Sequence, residues 1–215
     1  MKRSRAMVLV AVLAGSLFLA GPLWSATAPL WTTPFNFQAQ GSKYNTINVY
    51  AVAASTNSLI VCGTAFDLFA WDSGQLGFIK AFDLATGQLK WEDTLTAGAS
   101  QNNFSSLSIA GNTVLVDGYS CSYTYNPSTG LDTYTLNKSF LRAYNADAYH
   151  LLWEVAQDAA TLNSGPNNII TANNKVFVVR NEKGFYDSSG STGNCIVQAY
   201  QMGTVNVPVI TLLLD

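Results

Sequence analysis

The residue types that most often carry chemistry are scarce or isolated in this sequence. His150 is its only histidine, and a general base or metal ligand at that position would need partners that the sequence does not supply nearby. The aspartates cluster near turns without the Asp-x-Asp/Asn-x-Asp/Asn-Gly pattern of a calcium loop. Gly-x-Ser-x-Gly, Gly-x-Gly-x-x-Gly and phosphate-loop patterns are also missing. We therefore expect no catalytic residues, no metal site and a surface-turn role for His150.

The three cysteines leave more than one interpretation open. Cys62, Cys121 and Cys195 include no Cys-x-x-Cys spacing, so neither a zinc site nor a thioredoxin-like redox motif is indicated. In an oxidising compartment one pair could form a disulfide and leave the third cysteine free. Burial of all three as small apolar residues is the alternative. The sequence does not decide which cysteines pair.

An internal repeat is the main pattern in the chain, and it predicts the elements that position these residues. Ala81 precedes Trp91 by ten residues, and Ala143 precedes Trp153 by the same ten residues. Both copies run alanine, aromatic residue, Asp or Asn, five linking residues, a leucine two positions before the tryptophan, and then Trp-Glu. The two copies start 62 residues apart. Self-similarity at a fixed spacing indicates a repeat architecture.

Partial copies and turn-led strands extend the repeat in both directions. Trp31 lies 60 residues before the first complete motif tryptophan, and Ala199 lies 56 residues after the second motif alanine. Short apolar strands, each led by a turn rich in Asn or Gly, recur between the motifs at 56–61, 111–116 and 173–178. Each unit of about 60 residues therefore predicts several antiparallel strands. Such sheets bury both faces only by stacking on one another.

The first copy of the motif carries a resemblance to a known family. Its residues Ala81, Asp83, Thr86, Gly87 and Trp91 follow the spacing Ala-x-Asp-x-x-Thr-Gly-x-x-x-Trp. This resembles the tryptophan-docking motif of the pyrroloquinoline-quinone (PQQ)-type, or quinoprotein-like, β-propeller repeats. In that family the tryptophan packs between adjacent blades and locks them together. The resemblance implies an all-β fold, a partial β-propeller of about three antiparallel blades.

The other copies depart from the family pattern. The second copy keeps Ala143 and Trp153, but Asn145 replaces the aspartate and Ala148-Tyr149 replaces Thr-Gly. We expect structural units at roughly 31–91, 92–153 and 154–215 within a repeat segment 29–215. The apolar segment 205–214 predicts one further strand, at an edge because its proline cannot donate a ladder hydrogen bond.

Three units are fewer than the four to eight blades of a closed propeller. A partner chain could complete the ring, the sequence could belong to a longer protein, or the stack could stay open. Open ends favour self-association through the first and last units, because exposed sheet faces and edges invite pairing. The resemblance to PQQ proteins also raises PQQ bound with calcium, but the chain lacks the Cys-Cys pair that often accompanies the quinone. We expect no cofactor.

The N-terminus has the three-part layout of a secretory signal. Lys2, Arg3 and Arg5 precede an uncharged apolar stretch, and small residues end the segment 1–28. Pro29 would hinder cleavage after Ala28, so a retained membrane anchor is the alternative to a removed signal. Without those three cations, eight of the 11 basic residues remain against 13 acidic ones, a net charge of about −5. Such a balance disfavours nucleic-acid binding, which requires basic surfaces.

Together these patterns predict a periplasmic or secreted protein without catalytic activity. Its predicted role is protein interaction or scaffolding in the cell envelope, with an unidentified protein partner. The alternative is a fragment or relative of a PQQ-dependent dehydrogenase. A remnant without a stable fold is the third possibility. The strand 119–125 alternates tyrosine with small residues and predicts an exposed hairpin arm; a binding surface lined by its tyrosines is the alternative.

Overall fold

The computed structural model describes the chain in segments, all of them within the compact unit Trp31–Asp215. The described segments are residues 31–33, 44–69, 74–98, 100–158, 166–181, 195–202 and 210–214. The predicted signal segment, 1–28, lies outside these ranges. Across the part of the chain that is described, no helix is long and apolar enough to cross a membrane.

The described elements are strands, which form three four-stranded antiparallel sheets in chain order. Sheet 1 contains β1 (Thr46–Ala54), β2 (Ser58–Phe66), β3 (Gln75–Asp83) and β4 (Leu89–Leu95). Sheet 2 contains β5 (Gln101–Ala110), β6 (Thr113–Asn126), β7 (Leu131–Asn145) and β8 (Leu151–Asp158). Sheet 3 contains β9 (Pro166–Ala172), β10 (Lys175–Asn181), β11 (Cys195–Gln201) and β12 (Ile210–Leu214). The predicted all-β class is confirmed, and the sheets are consistent with a partial β-propeller.

The turn residues explain why each sheet begins as a tight hairpin. Gly111, between β5 and β6, has a φ of 59°, and Asn173 and Asn174, between β9 and β10, have φ values of 50° and 57°. Glycine and asparagine tolerate this left-handed backbone better than other residues. In sheet 1 the corresponding turn is closed by the Ser55 amide, which donates to the carbonyl of Ser58 at 2.8 Å. The predicted turn-led strands are therefore β2, β6 and β10.

The alternation of side chains along β6 makes sheet 2 the central layer. Val114 and Val116 lie in a buried cluster with Ile60 of sheet 1. Leu115, between them, lies in a second buried cluster with Val176 of sheet 3. Because successive residues of a strand point to opposite faces, one strand contributes to both interfaces. Sheets 1 and 3 thus pack on opposite faces of sheet 2.

The ends of the strands can be compared with the unit boundaries predicted at residues 91 and 153. Trp91 lies inside β4 and Trp153 inside β8, so each sheet continues a few residues past its motif tryptophan. The unit boundaries given above remain predictions. Of the strand predicted in the apolar segment 205–214, the described part is β12 (Ile210–Leu214), which pairs with β11 and is one of the two edge strands of sheet 3; the proline of that segment lies outside the described residues.

Candidate functional site: the tryptophan seams and the β6–β7 arm

The first motif copy folds into a turn built on one carboxylate. Ala81 is fully buried in β3, and Asp83 ends that strand. The Asp83 carboxylate accepts hydrogen bonds from the amides of Ala85 at 3.1 Å and Thr86 at 2.8 Å, and from the Thr86 hydroxyl at 2.9 Å. The bonds from Thr86, first from its amide and then from its hydroxyl, lower the pKa of Asp83. The Gly87 amide donates to the Asp83 carbonyl at 2.8 Å and closes the turn.

Trp31 docks against this turn from the preceding part of the chain. Its indole Nε1–H donates to the carbonyl of Leu84 at 3.0 Å. The Thr33 hydroxyl donates to the carbonyl of Gly87 at 2.7 Å. Gly87 has a φ of 72°, and a Cβ atom there would lie 2.5 Å from Cε3 of the Trp31 ring. Two features therefore require glycine at this position: the left-handed backbone conformation and the close approach of the Trp31 indole.

Trp91 repeats the same docking at the seam between sheets 1 and 2. Its indole Nε1–H donates to the carbonyl of Ala146 at 3.0 Å, and only 4% of its surface is exposed. Its ring stacks on Tyr144 with centroids 5.4 Å apart and planes inclined by 25°. Ala146 lies three residues after the motif alanine of its copy, as Leu84 does in the first copy. The two tryptophans thus bind equivalent carbonyls of successive motif turns.

The departures of the second copy preserve its turn. The Asn145 side-chain oxygen accepts hydrogen bonds from the amides of Asp147 at 2.8 Å and Ala148 at 3.2 Å. These amides occupy the positions that bind the Asp83 carboxylate in the first copy. Because an amide oxygen accepts these bonds as a carboxylate does, the replacement keeps the turn and removes a charge. Tyr149 occupies the position of the motif glycine and is exposed. Its ring centroid lies 6.3 Å from that of the Trp91 indole.

The third copy shares one backbone bond with the other two. The amide of Met202 donates to the carbonyl of Asn174 at 3.0 Å, as the amides three residues after the other motif alanines do to their hairpin asparagines. Trp153 is half-buried and packs with Met202 against a buried cluster that includes Ala143. Around Trp153 lies a shallow groove of about 420 Å³, which Leu152 also lines. The seam between sheets 2 and 3 therefore has an open side.

A ring of polar groups accompanies Trp91 at the first seam. The Lys90 ammonium lies 2.9 Å from a carboxylate oxygen of Asp147 and 2.9 Å from the hydroxyl of Ser58, which itself donates to Asp147 at 2.9 Å. The bond from Lys90, and then that from Ser58, lowers the pKa of Asp147. Since Ser58 and Lys90 belong to sheet 1 and Asp147 to the motif turn of sheet 2, the cluster joins the two sheets.

A second polar cluster lies deeper in the same seam and has no motif in the sequence. The Arg142 guanidinium contacts Asp93 at 3.5 Å and binds Glu154, and the Tyr144 hydroxyl donates to Asp93 at 2.7 Å. The Arg142 side chain is 15% exposed and lies over the Phe104 ring, 5.6 Å from its centroid. Burial raises the pKa of the Tyr144 phenol, which keeps it a donor. Only a charged residue inside an otherwise apolar strand could have indicated this network.

Among the described side chains, those of Cys62, Cys121 and His150 take no part in these polar clusters. Cys62 and Cys121 are buried free thiols, and burial raises the pKa of Cys62 to about 12 and that of Cys121 to about 11. The Cys195 side chain lies outside the described residues. His150 is exposed and precedes β8, where its carbonyl accepts from the Asn145 amide at 3.1 Å. Among the described residues, no group of three or more His, Cys, Asp or Glu side chains is placed to hold a metal ion.

Strands β6 and β7 extend beyond their neighbours as a two-stranded arm, residues 122–137. The two strands pair as far as Asn126 and Leu131, whereas pairing with β5 ends at Cys121 and pairing with β8 ends at Lys138. Residues 124–130 are exposed, including Tyr125, with 54% of its surface accessible. The carbonyl of Asn126 accepts from the Gly130 amide at 2.8 Å and closes the tip. The arm was predicted as an exposed hairpin; its length past both flanking strands was not.

Comparisons with known proteins found no matching family or curated sequence and a weak structural similarity. No protein-family model matches the chain, and no curated protein sequence matches it. Among solved structures, the crystal structure of BamB from Moraxella catarrhalis is similar at 10% sequence identity and a TM-score of 0.17, covering 79% of this chain and 75% of that chain. A similarity of this extent assigns neither a family nor an activity.

Proposed function

We propose that this chain is an exported β-propeller-repeat protein of the cell envelope that mediates protein interaction or scaffolding without catalysis. The observation that carries this proposal is the repeated docking bond, from Trp31 to the Leu84 carbonyl and from Trp91 to the Ala146 carbonyl. A device that recurs at equivalent positions of successive units suits blades stacked about a common axis. Burying an indole at such a seam contributes a few kcal/mol.

Rigid stacking supports an interaction role because it holds surfaces in fixed positions. Within each polar cluster of the first seam the charged groups bind one another and hold the two sheets together, so these groups serve the fold. Outside the seams, the chain presents the arm and an apolar end face on sheet 3. On that face Ile170 is 56% exposed and is paired in register with Phe177, which is half-buried. Exposed apolar surface of this kind marks protein-interaction sites.

The end face also supports self-association through the first and last units, or completion of the ring by another chain. Phe177, Val179 and Val197 lie on the same side of sheet 3 as Ile170 and are half-buried. A single sheet face of this composition gains free energy when a further sheet covers it. An Ile170→Glu variant should lose any association that uses this face, and an exposed Asn173→Asp change provides a matched control.

Export can be tested apart from interaction. The segment 1–28 should carry a fused alkaline phosphatase to an oxidising compartment, where that reporter becomes active. Loss of the cations Lys2, Arg3 and Arg5 should reduce that activity. Extraction of the native chain from membranes by alkaline carbonate would separate a cleaved signal from a retained anchor. A reporter that stays inactive would contradict the envelope location.

A test of PQQ binding distinguishes a non-catalytic interaction protein from a relative of the PQQ-dependent dehydrogenases. We expect added PQQ with calcium to leave the tryptophan fluorescence of the purified protein without a saturable change. Saturable binding would favour a relative of the PQQ-dependent dehydrogenases over a scaffold. Calcium alone and PQQ with EDTA serve as controls, because the quinone absorbs light and dims fluorescence without binding.

The interaction role itself is tested by photo-crosslinking in the native host. A photoreactive phenylalanine in place of Ile170 should give discrete adducts with one or a few proteins. The same group in place of Tyr149, an exposed residue at the edge of a seam, is the matched control. Equal, diffuse labelling from both positions would contradict the proposal.

A further inference from the structure

The arm presents one backbone edge that no described strand covers. On β6, the Tyr123 amide donates to the Ser100 hydroxyl at 2.7 Å, so it is not available to pair with a further strand. That bond shows that Tyr123 directs its amide toward the β5 side of the sheet. Backbone groups of alternate residues point to the same edge, so Tyr125 directs its amide and carbonyl to that side as well. Pairing between β5 and β6 ends at Cys121, so Tyr125 extends beyond it.

Between Ser122 and Asn126, the composition of this edge lacks the charges and prolines that normally prevent pairing. Natural edge strands carry charges, especially lysine, or prolines and bulges that block a further strand. Residues 122–126 read Ser-Tyr-Thr-Tyr-Asn, with no charge and with high strand propensity. The only charged residue of the arm, 122–137, is Asp132, which lies on β7. The β6 edge is therefore neutral, with Tyr125 beyond the last described neighbour, and the one charged residue of the arm belongs to β7.

We propose that a second copy of this chain pairs with the β6 edge of the arm, as antiparallel strands related by a two-fold axis near Tyr125. In this arrangement the Tyr125 amide of each copy donates to the Tyr125 carbonyl of the other. A two-fold interface uses the same patch on both copies, which a short, neutral, alternating Thr-Tyr edge can supply. The inference rests on the proposed interaction role and names a surface and a partner for it.

Two physical reasons favour this edge and this occupant. An isolated two-stranded hairpin is marginally stable in water, whereas three or more strands are stable, so pairing two arms into four strands stabilises both. The β7 strand, by contrast, carries the arm's one charged residue, Asp132, and charges on an edge strand disfavour pairing. The contact is short, well below the roughly 1,200 Å² of a stable interface, so we expect a weak, concentration-dependent equilibrium.

The test is sedimentation equilibrium of the purified protein over a range of concentrations, with a pair of variants at one position. Tyr125→Pro removes the outward amide but leaves the inward bonds of Thr124 and Asn126 to β7, so the hairpin is retained. Tyr125→Thr removes the ring but keeps the amide. We expect wild type and Tyr125→Thr to dimerise similarly and Tyr125→Pro to dimerise on the order of tenfold more weakly. Matching far-UV circular dichroism establishes that both variants fold.

Three results would overturn the inference. The first is a wild-type protein that remains monomeric at every concentration. The second is Tyr125→Pro associating as strongly as wild type. The third is association lost in Ile170→Glu but kept in Tyr125→Pro, which would assign it to the end face. In each case a specific photo-adduct from position 170 would leave the proposed function standing, so the two failures are distinguishable.

Discussion

Replacing Trp91 by phenylalanine isolates the docking bond on which the seam depends. The substitution keeps an aromatic ring against Tyr144 but removes the Nε1–H that donates to the Ala146 carbonyl at 3.0 Å. Leaving that carbonyl buried without its donor costs about 1–3 kcal/mol. The space vacated by the smaller ring adds about 1 kcal/mol. We therefore expect the free energy of unfolding to fall by about 2–4 kcal/mol.

Trp31→Phe is the matched control because the same bond is made in a different environment. Trp31 donates to Leu84 at the same 3.0 Å, but at an exposed site. Water can there replace the lost donor, so the expected cost is about 1 kcal/mol. Urea unfolding followed by far-UV circular dichroism measures both variants, since fluorescence would change with the number of indoles. Comparable slopes against urea are needed for the comparison to hold.

The reasoning would be refuted by either of two results. A Trp91→Phe variant within about 0.5 kcal/mol of wild type would mean that the buried bond stabilises little. A Trp31→Phe variant as costly as Trp91→Phe would mean that burial does not set the difference.

Three further predictions use matched pairs or a single titrating group. Gly87→Ala should lower the free energy of unfolding by about 2–3 kcal/mol, because a left-handed alanine costs about 1 kcal/mol and its Cβ displaces the docked Trp31 indole. Gly130→Ala is the control: this glycine has a φ of 68° and nothing within 4 Å of an added Cβ, so the same urea assay should show a cost of only about 1 kcal/mol. Arg142→Met leaves two carboxylates without their cation in a seam and should cost about 3 kcal/mol, whereas Lys138→Met, from an exposed ion pair, should cost less than about 0.5 kcal/mol; equal costs would contradict the network. Because the pKa of Asp83 is lowered in the folded state, its contribution to stability is present above its ordinary pKa and is lost as pH falls through the lower, folded one. Asp83→Asn should therefore lower stability slightly at neutral pH, leave it near wild type below the folded pKa and flatten the acid side of the stability–pH curve; an unchanged acid side would contradict this.

The strands were predictable because their signals are local. Turns such as Gly111-Asn112 and Asn173-Asn174 favour left-handed backbone, and the apolar residues after them alternate or run as buried strands. Those preferences act within a few residues, so they predict a strand without knowledge of its neighbours. The all-β class followed from them. The resemblance to PQQ-type repeats and the units drawn from it stay predictions.

The motif spacing indicated which residues matter but not what they bind. Trp91 donates to a backbone carbonyl, and any residue type has one, so Ala146 carried no sequence signal. The Asn145 replacement looked like decay of the motif, yet its side-chain oxygen binds the same two amides as the aspartate does. The hydrogen bonds of the turn depend on a side-chain oxygen at this position, which both aspartate and asparagine supply.

Long-range features were not predictable from one sequence. The Arg142, Asp93 and Tyr144 cluster joins residues about 50 positions apart, and charges in separate strands give no sign that they will meet. The arm was predicted as an exposed hairpin, but its reach depends on where β5 and β8 stop pairing. Such endings are set by neighbouring strands and not by the arm itself.

Hydrogen exchange of the Trp91 indole proton tests the stacked-sheet account most directly. Two-dimensional NMR resolves the indole N–H signals, and the Trp91→Phe variant assigns the one in question. The account predicts that this proton exchanges only through opening of the seam, far more slowly than the Trp31 indole proton, because its bond to the Ala146 carbonyl is buried. Exchange of the Trp91 proton at the rate of a solvent-exposed indole would contradict the account.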